Sequence, residues 1–233
     1  MRENMDSFEL LEFKTGHILS VDGVDVHGIN RRVALAPGEG TRFVYVHRGL
    51  VWVNSRYILG AGQYACVTEG PVVAETDTVA LVVQVRTYRG MFSVGGPLEK
   101  TGRLKYIDGC TDSLLVPPVK KGDPCLNHLH FPPGVTQTPH THPSVRIGMV
   151  ARGGGRCVTP GGDYRMKEGD LFIIHKATGR NVKLANGTEW PEGTHGFITE
   201  AEEMDVVAFH PDSEVGPTDE VHQMKVATNL IAA

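Results

Sequence analysis

Two histidines one residue apart, His140 and His142, lie in the stretch Gly134-Val-Thr-Gln-Thr-Pro-His-Thr-His-Pro-Ser-Val-Arg146, and Gly153 follows downstream. On a strand, residues i and i+2 point to the same face, so the two imidazoles converge. Neutral imidazole is a good ligand for a divalent transition metal, and a metal site in a β-rich pocket is the chemistry this spacing predicts. Arg146, four residues on, cannot join the ligands, because guanidinium stays protonated. Beside a metal it would suit an anionic molecule, held by charge-assisted hydrogen bonds. The competing reading is a strand arginine turned outward toward a surface acid. A second pair, His128 and His130, also shares one face, with Leu129 and Phe131 on the other. Spacing alone does not separate the two pairs. Gly134 and Gly153 frame the first pair, which leaves His128 and His130 as pocket-lining or catalytic contacts rather than ligands.

The elements that must hold these residues are strands. Arg42-Phe-Val-Tyr-Val-His-Arg, Leu50-Val-Trp-Val-Asn, Val79-Ala-Leu-Val-Val-Gln-Val, Arg146-Ile-Gly-Met-Val-Ala-Arg, Asp170-Leu-Phe-Ile-Ile-His and Asp205-Val-Val-Ala-Phe-His are rich in β-branched and aromatic residues. Gly, Asn and Asp bound them, and no long segment sustains a capped helical period. The prediction is an all-β protein. The two halves also align. Arg42 to Gly49 lies over Arg146 to Gly153, and Tyr57 to Gln63 lies over Tyr164 to Asp170 after a short insertion. Two matches in order argue for duplication. The break falls near Gly90 to Gly102. In this alignment Ala36 and Gly38 stand where the second half has His140 and His142, and Arg42 stands where it has Arg146.

Bulk properties narrow the function classes. The chain has 233 residues, 40% hydrophobic and 21% charged, with a formal net charge of −4. A clustered basic excess is missing, so neither nucleic acid nor an anionic membrane is an expected partner. The start, Met1 to Glu9, lacks the apolar core of a signal peptide, and no apolar run has the length of a membrane span. Cys66, Cys110, Cys125 and Cys157 have no CxxC spacing and read as reduced, buried residues of a cytoplasmic protein.

The motif Gly-x5-His-x-His-x3-(Glu)-x6-Gly, met by Gly134, His140, His142 and Gly153 with Arg146 in the Glu place, resembles the first motif of the cupin superfamily. Gly169-Asp170-Leu-Phe-Ile-Ile resembles the start of the second. The resemblance covers roughly residues 34–90 and 126–211, and the chain is similar to a two-domain cupin. It implies two tandem small antiparallel β-barrels, residues 1–95 without metal ligands and residues 96–233 with the metal site. The family's second motif supplies a further histidine after a Pro-x-Gly turn, and Pro191-Glu-Gly193-Thr-His195 carries that pattern. Residues 179–194 would then be an insertion over the barrel mouth. The implied centre is His140, His142 and His195 around a divalent metal, with Fe(II) favoured and Zn, Mn or Ni as alternatives. The implied partner is a small anionic substrate, the implied assembly a homodimer, and the implied reaction a dioxygenation. A non-redox isomerase, lyase or decarboxylase, or a non-catalytic ligand-binding protein, is the alternative.

Overall fold

The computed structural model describes residues 7–11, 18–184, 186–222, 224, 228 and 231. Most of the leader reading, Met1 to Asp6, lies outside them. The strands are antiparallel and, apart from the separate pair Asn181–Lys183 and Glu189–Pro191, fall into two sets. In the first set, one sheet runs in the order Ser93–Gly95, Tyr64–Thr68, Thr41–Arg48, Val79–Val85, Val24–Ile29, Ile18–Val21. A second sheet of that set runs Val33–Leu35, Val72–Ala74, Val51–Val53, Tyr57–Leu59. The other set is built on Leu171–Ile174, Arg146–Val158, Met204–His210, Cys125–Phe131, Thr111–Val116 and Leu104–Lys105, with Phe8–Leu11 added beside Leu171–Ile174. Asp163–Lys167 and Gly196–Ile198 both pair with the far end of Arg146–Val158.

Strand alternation sorts the side chains into three apolar layers. Val44 and Val46 point into the first set, while Phe43 and Tyr45 on the same strand point out of it. In the second set Val150, Val206, Ala208 and Phe131 point inward, with Phe172 and Phe197. Ile147, Met149, Leu126, Val207 and Phe209 point outward and meet Phe43, Tyr45, Leu81 and Val83. The Phe43 and Phe209 rings lie 5.0 Å apart in this middle layer. Large apolar surface is thus buried between the sets as well as within each, and burial of this kind is the main favourable term in folding.

The two sets repeat each other in backbone detail. Val46 donates to Gln63 and accepts from Gly62 at 2.9 and 2.7 Å; Val150 donates to Asp170 and accepts from Gly169, both at 2.9 Å. Gly49 follows the strand Thr41–Arg48 and Gly153 lies within Arg146–Val158, just past a register shift between Val150 and Arg152, with φ of +85° and +65°. At Gly153 an added Cβ would stand 1.9 Å from the Glu203 carbonyl oxygen. Gly153→Ala is therefore expected to cost about 2 kcal/mol or more of stability, read from the shift in urea midpoint.

Candidate metal centre

Inside the second set, residues of several strands line one cavity: Asn127 and Leu129, Arg146, Phe172, Ala208 and His210, closed by His140, His142 and His195. His140 and His195 form an isolated antiparallel bridge, each N–H donating to the other's carbonyl at 2.9 Å. His142 is tied in turn through its carbonyl, which accepts from Ala177 at 2.9 Å. Side chains far apart in sequence are thereby brought within ligating reach. One ring nitrogen from each of the three histidines lies within 4.8 Å of the other two.

Local hydrogen bonds select which nitrogen faces the centre. His140 Nδ1 lies 2.8 Å from the Thr138 carbonyl and His195 Nδ1 lies 3.1 Å from the Gly193 carbonyl. A carbonyl only accepts, so Nδ1 must carry the proton and Nε2 is left with its lone pair. His195 Nε2 is buried and has no hydrogen-bond partner. Orienting an imidazole through its other nitrogen is how proteins commonly prepare a metal ligand. The donor set fits a divalent transition metal.

The electrostatics favour neutral rings. Burial pushes His142 down to about 2, with Arg146, His195 and His140 adding to the effect. Burial and the neighbouring His140 bring His195 down to about 3, against the Gly193 carbonyl, which favours the charged form. His210 also falls to about 3, through burial and Arg146. Each folded value is below the ordinary 6.5, so the stabilisation is complete above about pH 6.5 and is lost as pH falls through the folded values. The urea midpoint of metal-free protein should therefore decline steadily from pH 7 to pH 4. His210→Gln should flatten that decline.

Arg146 points inward. It shares the face of Gly148 and Val150, is 9% exposed, and lies in the cavity wall. The reading of this arginine as turned outward is thereby corrected, although an acid near it, Asp212, is itself half-exposed. Its Nη1 donates to the Ser144 carbonyl (3.2 Å), the Ser144 hydroxyl and the Val145 carbonyl (3.1 Å), and lies 3.6 Å from Asp212. Its Nε is buried without a partner. Arg42, its counterpart, behaves differently. Its guanidinium donates to the carbonyls of Ala36 (2.8 Å), Gly70 (3.2 Å) and Leu35 (3.5 Å), and its Nε donates to Gln84 (3.3 Å). A Cβ on Gly38 would stand 3.0 Å from Arg42 Nη2. Where the second set carries His140 and His142, the first has carbonyls and an arginine that saturates them.

His128 and His130 do not line the cavity. They share the outward face of their strand with Leu126, toward the layer between the sets, while Asn127, Leu129 and Phe131 face inward. Direct contact with a substrate in the cavity is ruled out by that alternation, which corrects their reading as catalytic contacts. Their partner is Asp205, fully buried: its Oδ1 is 2.7 Å from His128 Nε2 and 3.1 Å from His130 Nδ1, and its Oδ2 accepts from Arg152 Nε at 2.8 Å. Burial alone would raise the Asp205 carboxyl, but the His128 and Arg152 bonds and the Arg152 charge outweigh it and hold it below the usual range.

Three cavity residues escaped the sequence reading. His210, Asn127 and Asp112 line the cavity but belong to no motif in the sequence. Their inward direction follows from the strand registers, which local spacing does not give.

Fold and site together describe a cupin-like protein with a three-histidine cluster in its second set of strands. The AraC-like ligand binding domain family matches residues 122–190. No curated protein matches the chain in sequence. Among solved structures, a cupin 2 conserved barrel domain protein from Leptotrichia buccalis is 14% identical with a TM-score of 0.56, covering 91% of this chain and 92% of its own. Protein Ylba from E. coli is 16% identical, with a TM-score of 0.58 and coverage of 94% and 96%. A salicylate 1,2-dioxygenase from Pseudaminobacter salicylatoxidans is 13% identical, with a TM-score of 0.55 and coverage of 81% and 70%; a variant of that dioxygenase is known in complex with gentisate. At such identities the likeness is one of fold. Among the described residues, no helix is long and apolar enough to cross a membrane.

Proposed function

We propose that the chain is a metal-dependent cupin-type enzyme, of dioxygenase class, in which His140, His142 and His195 hold a divalent metal, Fe(II) by preference, and Arg146 binds a small anionic substrate. The observation that carries this reading is the convergence of the three imidazoles at a cavity whose wall holds a buried, incompletely satisfied arginine. Three neutral ligands leave coordination positions open, and a bound Fe(II) would supply Lewis acidity and redox chemistry toward oxygen. The protein's own share is positional. The Thr138 and Gly193 carbonyls hold two ligand rings in one tautomer. Arg146 orients the anion, and Phe172, Phe197 and Leu129 exclude water around it.

The same reading makes residues 1–95 a degenerate copy, except that its strand Phe8–Leu11 joins the other set, and 96–233 the functional domain. The repeated Val46 and Val150 hydrogen bonds support duplication, and Arg42 bonded across the place of the ligands supports loss of the site. Likeness to an AraC-like ligand binding domain favours a second reading, in which the cavity binds a small anion without turning it over.

Oxygen uptake by Fe(II)-loaded protein over a panel of small carboxylic acids tests the proposal: uptake with one acid supports it, and tight binding with no consumption over the whole panel favours the second reading. Arg146→Ala is expected to retain metal and raise KM or Kd for the acid about tenfold to a hundredfold. An unchanged constant would remove Arg146 from the site.

A further inference from the structure

Beyond the metal and the anion, the cavity holds polar atoms that neither group satisfies. Asp112, on the strand Thr111–Val116, and Asn127, on Cys125–Phe131, both line it. The Asn127 amide donates through Nδ2 to Asp112 Oδ2 at 2.8 Å. Because a carboxylate offers only acceptors, this bond fixes the amide orientation and leaves Asn127 Oδ1 turned away from Asp112. Asn127 Oδ1 and Asp112 Oδ1 are both buried and neither has a hydrogen-bond partner. Asn127 is 7% exposed, so bulk water does not serve in place of one. Burial raises the Asp112 carboxyl above its usual value, against the Asn127 bond and the Ser113 backbone N–H.

Buried polar groups without partners are costly and uncommon, and where several share a cavity they outline the groups of a missing ligand. Here the outline has a sense. Arg146 Nε is an unmet donor, whereas Asn127 Oδ1 and Asp112 Oδ1 are unmet acceptors. A carboxylate, which has only acceptors, can satisfy the first but not the other two, which need a donor. The counterpart arginine shows that the fold can saturate such a guanidinium internally, since Arg42 spends its Nε on Gln84; His210 follows Phe209 as Gln84 follows Val83, in the matching registers Phe209 with Ile147 and Val83 with Phe43.

We infer that the substrate is a small carboxylic acid carrying a neutral O–H or N–H donor, with the carboxylate on Arg146 and the donor on Asn127 Oδ1 and Asp112 Oδ1. The inference rests on the proposed reading of this cavity as an anion site. A site built around unmet acceptors discriminates strongly against a ligand lacking the donor, because those atoms then stay unpaired.

Titration calorimetry of the full chain, with and without bound Zn(II), tests this with 2-hydroxypropionate, 3-hydroxypropionate, propionate and the two methyl ethers. One hydroxy acid should bind about tenfold or more tightly than both propionate and its own methyl ether. Asn127→Ser and Asp112→Asn should each shrink that preference while metal content and propionate affinity hold. Hydroxy acids and propionate binding alike would overturn the inference and leave the anion site standing. A preference untouched in folded variants would also overturn it, because the metal alone would then be reading the hydroxyl. Failure of every acid to bind, with Zn(II) or without, would overturn the anion site itself and the inference with it. If a variant does not fold, the comparison of hydroxy acid with methyl ether on the native chain still decides.

Discussion

Replacing His140 and His142 together by alanine is expected to take bound divalent metal from about one equivalent to less than about a tenth. His195→Ala should come close to the same result, while His128→Ala should leave metal near one equivalent. The contrast follows from where the ring nitrogens point. The three-histidine cluster brings its nitrogens within 4.8 Å of one another, and His195 Nε2 has no competing partner. His128 Nε2 is already spent on Asp205 at 2.7 Å, on the opposite face of its strand from the cavity. Elemental analysis of freshly purified, metal-reconstituted protein measures this. Full metal retention in the double variant would reject the ligand assignment, and metal loss in His128→Ala alone would move the site to the layer between the sets.

Asp205→Ala is expected to destabilise the fold by about 2 to 3 kcal/mol, the cost of leaving buried hydrogen-bonding groups unpaired, with the Arg152 charge adding little because that side chain is part-exposed. Asp205 has no exposed surface and takes bonds from His128, His130 and Arg152. Removing it leaves two buried imidazole nitrogens without an acceptor and frees Arg152 Nε, whose side chain is part-exposed. Arg152 also reaches the Glu99 and Lys100 carbonyls at 2.7 and 3.1 Å, so the connecting segment loosens with it. Urea unfolding measures the loss, and Asp205→Asn should recover part of it by keeping the shape and one acceptor. A change below about 1 kcal/mol for Asp205→Ala would show that the network contributes little to stability.

Much of this was legible in the chain. The runs from Arg42, Val79, Arg146, Asp170 and Asp205 became strands because β-branched residues alternating between two apolar faces satisfy a sheet buried on both sides. The paired Gly49 and Gly153 were readable as equivalent places in a repeat, and both adopt positive φ. Less was legible at the site. Spacing showed that His128 and His130 share a face, as do His140 and His142, but period two does not say which face meets the cavity. The two pairs are alike in sequence and opposite in environment. The pairing of Arg42 with Arg146 gave no more help, since equal places in a repeat do not fix equal surroundings. One guanidinium is saturated by carbonyls, and the other keeps its Nε unmatched.

The amino-acid order by itself determined the all-β class and the positions of the main strands, because these depend on near neighbours and on the two-residue period of an extended chain; His140 and His142 converge from a segment outside the named strands, held by the bridge to His195. Only the tertiary structure decided that His195 completes the cluster, that His128 and His130 turn to Asp205, that Arg146 faces inward, and that Asn127 and Asp112 stand unmatched in the same cavity. Those outcomes depend on which strands become neighbours and which sheet face is covered. Both are set by burial of apolar surface summed over the whole chain, which no local spacing encodes.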